Sequence, residues 1–389
     1  MSPALDGAVA TPADLASLAA LIGDAATHRA TLAVRGSQGW WTDAPPGVEL
    51  VSTAGLDGIS DFNPADLVVT VGAGTPLDRL AGRLAARGAW LPFDPPGPVS
   101  RTLGGALASG GGGPLAAHYG PARDHVLGLV VVAGDGTVVR LGGRVVKNVA
   151  GFDVSKLVIG SHGALGVIAE AHLRLRARPR ADRSAVWTGS REWAVRASAA
   201  ALAAGATPAA LEVLGPDLAA QLAWGSGGTW ALAARAVGSD AGVAEALDAI
   251  AHAAGSRAAV TAEGDAAWTP WREGVGRWPV VLRIGAEPSN WSAAVELAVR
   301  SLGRLLGASV TVPRGTVRVG VDGCTGEAVV RLRAQAALHR WPVTLERADA
   351  ATLAGVGLWG ALPPAVERLT RALRRVFDPA GILAAPLPA

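Results

Sequence analysis

Residues 98 to 168 concentrate the groups that could do chemistry. The run Thr102-Leu103-Gly104-Gly105-Ala106-Leu107-Ala108-Ser109-Gly110-Gly111-Gly112-Gly113 carries six glycines within ten residues. Such density argues against a packed helix interior or a regular strand, where glycine loses the most backbone entropy and buries no side chain. Glycine is kept where backbone must bend sharply or approach a ligand closely. Exposed N–H groups on such a loop make a cradle for a diphosphate. A flexible linker is the plainer alternative, but Gly/Ser linkers do not usually lie inside Val- and Leu-rich sequence of this kind. Two further motif-dense stretches follow, Gly142-Gly143-Arg144-Val145-Val146-Lys147-Asn148 and Gly160-Ser161-His162-Gly163-Ala164-Leu165-Gly166-Val167-Ile168.

Rare residue types gather in the same window. The two lysines, Lys147 and Lys156, the single tyrosine, Tyr119, and one of three asparagines, Asn148, all fall there. In a chain that otherwise uses arginine for its basic residues, this points to roles that arginine's planar, weakly hydrated fork does not fill. Lys147 and Asn148 read either as contacts to a ligand's polar edge or as turn stabilisers. Arg123-Asp124 reads as a buried ion pair that fixes its loop, with a ligand role as the alternative. His162 reads as structural.

Several function classes are excluded. One cysteine, Cys324, leaves no internal disulfide and no Cys₄ zinc or iron–sulfur site. The seven histidines show no metal-ligand spacing, so no metal is expected. The pI of about 9.7 accompanies a net charge of only +3, too weak a field to suggest nucleic acid. The one basic cluster, Arg174 to Arg183, alternates as a solvated strand face would, with docking to an acidic partner as the alternative. No leader and no apolar run of membrane-spanning length is evident, and the reading is a cytoplasmic protein, held at a membrane only through partners.

The positioning elements follow from periodicity. Residues 11 to 27 read as an amphipathic helix with Thr11 as N-cap, and 31 to 34 as a strand leading into Arg35-Gly36-Ser37. Residues 67 to 71 form a strand ending in Gly72-Ala73-Gly74. This is no dinucleotide fingerprint, because Leu77 replaces the third glycine, and a helix to Arg87 starts after Thr75-Pro76. Residues 126–132 and 137–141 make a hairpin across Gly134-Asp135-Gly136, and 166–175 read as the strand closing this half. Seven strands are expected beyond residue 180 (185–187, 210–214, 229–234, 280–284, 310–312, 316–321 and 343–346). Helices at 191–204, 240–253, 290–306 and 326–339 alternate with them, which suggests an α+β sandwich. Most of the 13 tryptophans lie in this half and read as core or interface filling.

Taken in order, Thr-Leu-Gly-Gly at 102, Tyr-Gly-x-x-Arg-Asp at 119, Gly-Gly-Arg-Val-Val-Lys-Asn-Val-Ala-Gly-Phe-Asp at 142 and Gly-Ala-Leu-Gly-Val-Ile at 163 resemble the FAD-binding domain of the vanillyl-alcohol-oxidase (PCMH) type. The nearest resemblance is to FAD-binding subunits of bacterial glycolate oxidase. It implies an α+β protein: a two-subdomain FAD-binding domain over residues 1–178, then an antiparallel α+β cap domain over 179–389 whose last segment returns to the first. It implies FAD held by Arg35, Gly36, Ser37, Thr102, Leu103, Gly104, Gly105, Ser109, Gly110, Gly113, Arg123, Asp124, Gly166, Val167 and Ile168. No His or Cys stands at 36–40 for flavin attachment, so the FAD should be non-covalent. The cap lacks the His-rich motif that catalytic members carry, with only His252 and His339 beyond residue 180. Three readings stay open. One is a FAD-carrying subunit working on a small 2-hydroxy acid with a catalytic flavin subunit and an iron–sulfur subunit. The others are a self-sufficient hydroxy-acid dehydrogenase and a scaffold without turnover.

Overall fold

Residues 9–36, 47–143 and 153–384 are described by the structure, a computed structural model. The valine-rich segment 126–132 becomes the inner strand of a five-stranded antiparallel sheet, whose order is Ile59–Asn63, Val68–Gly72, Val167–Arg174, Val126–Val132 and Val138–Gly142. Both faces of this sheet are covered. Alternation sends Val131 and Ile168 toward the helices Leu77–Ala85 and Leu103–Ser109. Val132 and Val167 point the other way, toward Leu18 and Ile22 of the helix Leu15–His28. Each fully buried Leu or Ile on these faces contributes about 1.5–3 kcal/mol.

That second face also packs on a small parallel sheet of Leu383–Ala384, Leu32–Arg35 and Glu49–Ser52. The C-terminal strand pairs Leu383 with Leu32 and Ala384 with Ala33. Asp378 holds the returning turn, its carboxylate accepting from the backbone N–H groups of Ile382 and Leu383, both at 2.9 Å.

Residues 181–347 build an eight-stranded sheet in which every neighbouring pair is antiparallel. All seven expected strands take part, joined by Val260–Glu263, too short and too mixed in polarity to stand out in the sequence. Helices Arg191–Ala203, Asp240–Ala254, Trp291–Leu302 and Gly326–Ala337 follow the expected spans within a few residues. Trp187, Trp268, Trp271 and Trp291 are buried in this half, and Trp268 and Trp271 donate from Nε1 to Ser184 and Ser309. Core filling is thus what these rings do. Among the described residues, no helix is long and apolar enough to cross a membrane.

Four expectations need correction. The first helix starts at Leu15, not beside Thr11, because Asp14 and Ser17 form a reciprocal capping box. Two glycines of the Gly-rich run, Gly104 and Gly105, lie inside a helix, Leu103–Ser109. Buried Leu103, Ala106 and Leu107 anchor that helix on the core and offset the low propensity of glycine. Arg123 and Asp124 are not a buried pair: their charged atoms stand 4.0 Å apart, with the side chains 60% and 45% exposed. Arg174 to Arg183 spread over three successive strands rather than one, and Arg183 pairs with Asp240.

Candidate functional site

A narrow cleft forms where the strand Leu32–Arg35 ends against the start of the helix Leu103–Ser109. Arg35 and Gly36 form one wall; Thr102, Gly104, Gly105 and Ser109 form the other. The two approach so closely that a Cβ on Gly36 would collide with the Thr102 hydroxyl. Thr102 caps the helix, its side chain accepting from Gly105 N at 3.4 Å. Gly104 is needed for packing, since its added Cβ would lie 2.7 Å from that of Ala73. Its N–H donates to Ala73 O, so it does not face the cleft as a free donor.

The far wall is the turn into the strand Val167–Arg174. Gly166 has φ +107°, and an added Cβ would stand 2.6 Å from Val131 Cγ1. Only glycine fits there, and Gly166, Val167 and Ile168 present their backbone to the cleft. Of the remaining sequence candidates, Leu103 points into the core and Ser37 lies outside the described residues, as do Lys147 and Asn148. Gly110, Gly113 and Arg123 line an adjoining cleft that shares Arg101, Ser109 and His162 with the first; Asp124 lines neither. Lys156 makes an exposed ion pair with Asp153 at 3.1 Å, and Tyr119 packs edge-on to Trp90.

The walls of the narrow cleft include Arg35 and Arg101 and, among the described residues, no carboxylate. That donor set suits an anionic diphosphate. At about 80 Å³ the cleft itself has room for little more than such a group. Val34, Arg35 and His162 also line a groove of about 1220 Å³ reaching to Arg333, Trp341 and Leu353, which has space for ring systems.

Burial sets the electrostatics. His162, with φ +52°, is pushed down to about 4 by burial and by Arg101, so its imidazole is neutral near pH 7. Burial also lowers Arg101, to about 10. Asp94 and Glu212, buried beneath the glycine run and in the eight-stranded sheet, are each pushed up to about 7 by desolvation. Glu346 goes the other way. Burial opposes its charge, but Arg318 and Arg283 outweigh that and hold it below the usual range.

Sequence reasoning missed Arg101 and Thr53 as walls of the cleft, and His162, read as structural, lines it too. Arg101 adjoins Thr102 and could have been included on position alone. It also missed Arg283, Arg318 and Glu346, which sit in ordinary strand patterns and carry no local signal.

Residues 7–142 match the family described as the FAD binding domain. Subunit GlcE of the glycolate oxidase of Escherichia coli is 43% identical over 128 residues, 33% of this chain and 37% of that protein. D-2-hydroxyglutarate dehydrogenase of Xanthomonas citri pv. viticola is 40% identical over 119 residues, 31% of this chain and 25% of that protein. The chain thus matches only about a quarter to just over a third of the length of these relatives. A solved alkyldihydroxyacetonephosphate synthase superposes with a TM-score of 0.71 at 16% identity, covering 96% of this chain and 76% of that one, a likeness of fold. Family match, ordered motifs and anion-suited cleft agree. Over residues 7–142, therefore, the chain carries an FAD binding domain of the vanillyl-alcohol-oxidase type.

Proposed function

We propose that this chain is the FAD-carrying subunit of an oxidoreductase acting on small 2-hydroxy acids, of the glycolate dehydrogenase type. In this reading residues 1–178 hold the flavin and residues 179–389 cover it. The observation that carries it is the cleft between Gly36 and Thr102, with no carboxylate among its described residues, opening beside His162 into a groove large enough for a flavin. Arg35 and the backbone around Gly36 would hold the diphosphate, with Gly105 and Gly166 giving it close approach. Bound flavin supplies the redox chemistry. The residues of the chain orient it and exclude water.

The chain supplies little else for oxidising an alcohol. A hydroxy-acid dehydrogenase needs a base for the hydroxyl proton. His252 lies on the helix Asp240–Ala254, and His339 is exposed and stacks on Trp341. With one cysteine, the sequence offers no cluster to carry electrons onward. We therefore assign catalysis and onward transfer to partner subunits, a second flavin protein and an iron–sulfur protein.

The purified chain should be yellow, release FAD on acid precipitation, and oxidise glycolate or D-lactate poorly with a dye acceptor. Adding the two partners should restore turnover. A protein that neither carries nor takes up FAD would overturn the flavin assignment. Brisk glycolate oxidation by the chain alone would overturn the accessory role and favour a self-sufficient dehydrogenase.

A further inference from the structure

The cleft adjoining the glycine run carries more positive charge than the fold uses. Among the described residues its walls hold five guanidinium groups, on Arg101, Arg123, Arg283, Arg314 and Arg318, and one carboxylate, Glu346. Glu346 is taken up internally: Arg283 Nε donates to Oε1 at 2.7 Å and Arg318 Nε to Oε2 at 2.9 Å. Arg101 is committed to the scaffold, donating to the carbonyls of Pro96 and Gly105 at 2.9 and 3.0 Å. Arg123 has Asp124 at 4.0 Å. Setting those two arginines aside leaves Arg283, Arg314 and Arg318 against Glu346, an excess of two charges, with Arg318 Nη2 also donating to Gly112 O at 2.8 Å and Arg283 Nη2 to the Thr344 hydroxyl at 3.2 Å.

These cations fall into two groups. Arg283 and Arg318 are register partners on paired strands, a like-charge juxtaposition that Glu346 bridges. Arg314 closes the turn Val312–Arg314, is exposed, and among the described residues donates to Ala116 O at 3.4 Å. Like charges converging on a cleft with low-dielectric walls raise the local concentration of anions. Planar guanidinium forks match carboxylates, and Thr316 also lines the cleft. The cavity is about 270 Å³, just below the usual range for small-molecule sites of roughly 300–1,000 Å³, so its occupant is small.

We propose that this cleft binds a small dicarboxylate, one end at Arg283 and Arg318 and the other at Arg314. One cationic group on the paired strands and another on the turn ask for a ligand with two anionic ends, and glycolate has one. The ligand would lie beside the narrow cleft, against the Arg101, Ser109 and His162 that the two share.

Calorimetric titration of the full chain at constant ionic strength tests this with three probes: D-malate, glycolate and inorganic phosphate. D-Malate should bind at least about tenfold more tightly than glycolate, a difference of roughly 1.4 kcal/mol. Arg314→Gln removes one charge from an exposed side chain and should weaken D-malate about tenfold while leaving flavin content and melting temperature unchanged. Equal affinity for the two acids, tighter binding of phosphate than of D-malate, or an unaffected Arg314→Gln would overturn the proposal. Flavin content read on the same samples keeps the two assignments apart. Flavin-loaded protein that ignores D-malate defeats the dicarboxylate site alone, and flavin-free protein that binds it defeats the flavin reading alone.

Discussion

At Gly105 an added Cβ would stand 3.2 Å from the Thr102 hydroxyl, a tight contact that a small shift of that side chain relieves. Gly105→Asp should therefore fold, yet it sets a carboxylate beside the site assigned to the diphosphate. Two such charges about 4 Å apart repel by about 4 kcal/mol at a surface-like effective dielectric. Flavin content after purification should collapse while circular dichroism stays that of the parent. Equal flavin occupancy in the two proteins would move the site elsewhere. Asp94 and Glu212 bear on stability instead, because burial raises both to about 7. A carboxyl raised in the fold stabilises it while protonated. That contribution is complete below the unfolded values near 4 and is lost as pH rises through about 7. The melting temperature should thus fall between about pH 4 and pH 8 on account of these groups, and Asp94→Asn should flatten part of the fall. Superimposable pH curves for variant and parent would remove Asp94 from that role.

Among elements, the strand Leu383–Ala384 is held chiefly by Asp378, with Arg374 Nη2 donating to Leu383 O at 3.4 Å. Asp378 accepts from two buried N–H groups, and Gly134 N–H donates to the neighbouring Phe377 carbonyl at 2.7 Å. Asp378→Ala would leave the N–H groups of Ile382 and Leu383 without their acceptor, at a cost of about 2–4 kcal/mol. The urea midpoint reports this, and amide exchange should rise first at Leu32 and Leu383, the paired positions. A variant with unchanged midpoint and exchange would mean that packing of Ile382 and Leu383 holds the strand without the aspartate.

Over the whole molecule, the eight-stranded sheet meets the glycine run through Arg318, whose Nη2 donates to Gly112 O at 2.8 Å. Arg318 is 4% exposed and is held in turn by Glu346. Glu346→Ala would leave two clustered guanidiniums without their shared counter-charge, one of them buried. Breaking such a buried pair from one side costs about 3–5 kcal/mol. We expect a lower denaturation midpoint. Full stability in this variant would show that Arg318 holds the glycine run without the Glu346 counter-charge.

Much of this architecture was legible locally. The hairpin 126–141, the seven strands of the second half and the α+β class follow from β-branched runs, turn residues and periodicity, which act over a few residues. The FAD assignment was legible too, because glycines are demanded at fixed places where the chain passes close to a neighbour, as at Gly36 against Thr102 and Gly166 against Val131. The glycine run misled in one respect: Gly104 and Gly105 are helical because buried neighbours outweigh propensity, a tertiary effect that no local pattern carries. Likewise Arg123-Asp124 looked like a buried pair, and only the placement of its turn at the surface decided otherwise. The arginine cleft had no signature at all. Arg283, Arg318 and Glu346 lie on three separate strands, and it was the antiparallel register, set by burial over the whole sheet, that brought their charges together against the glycine run.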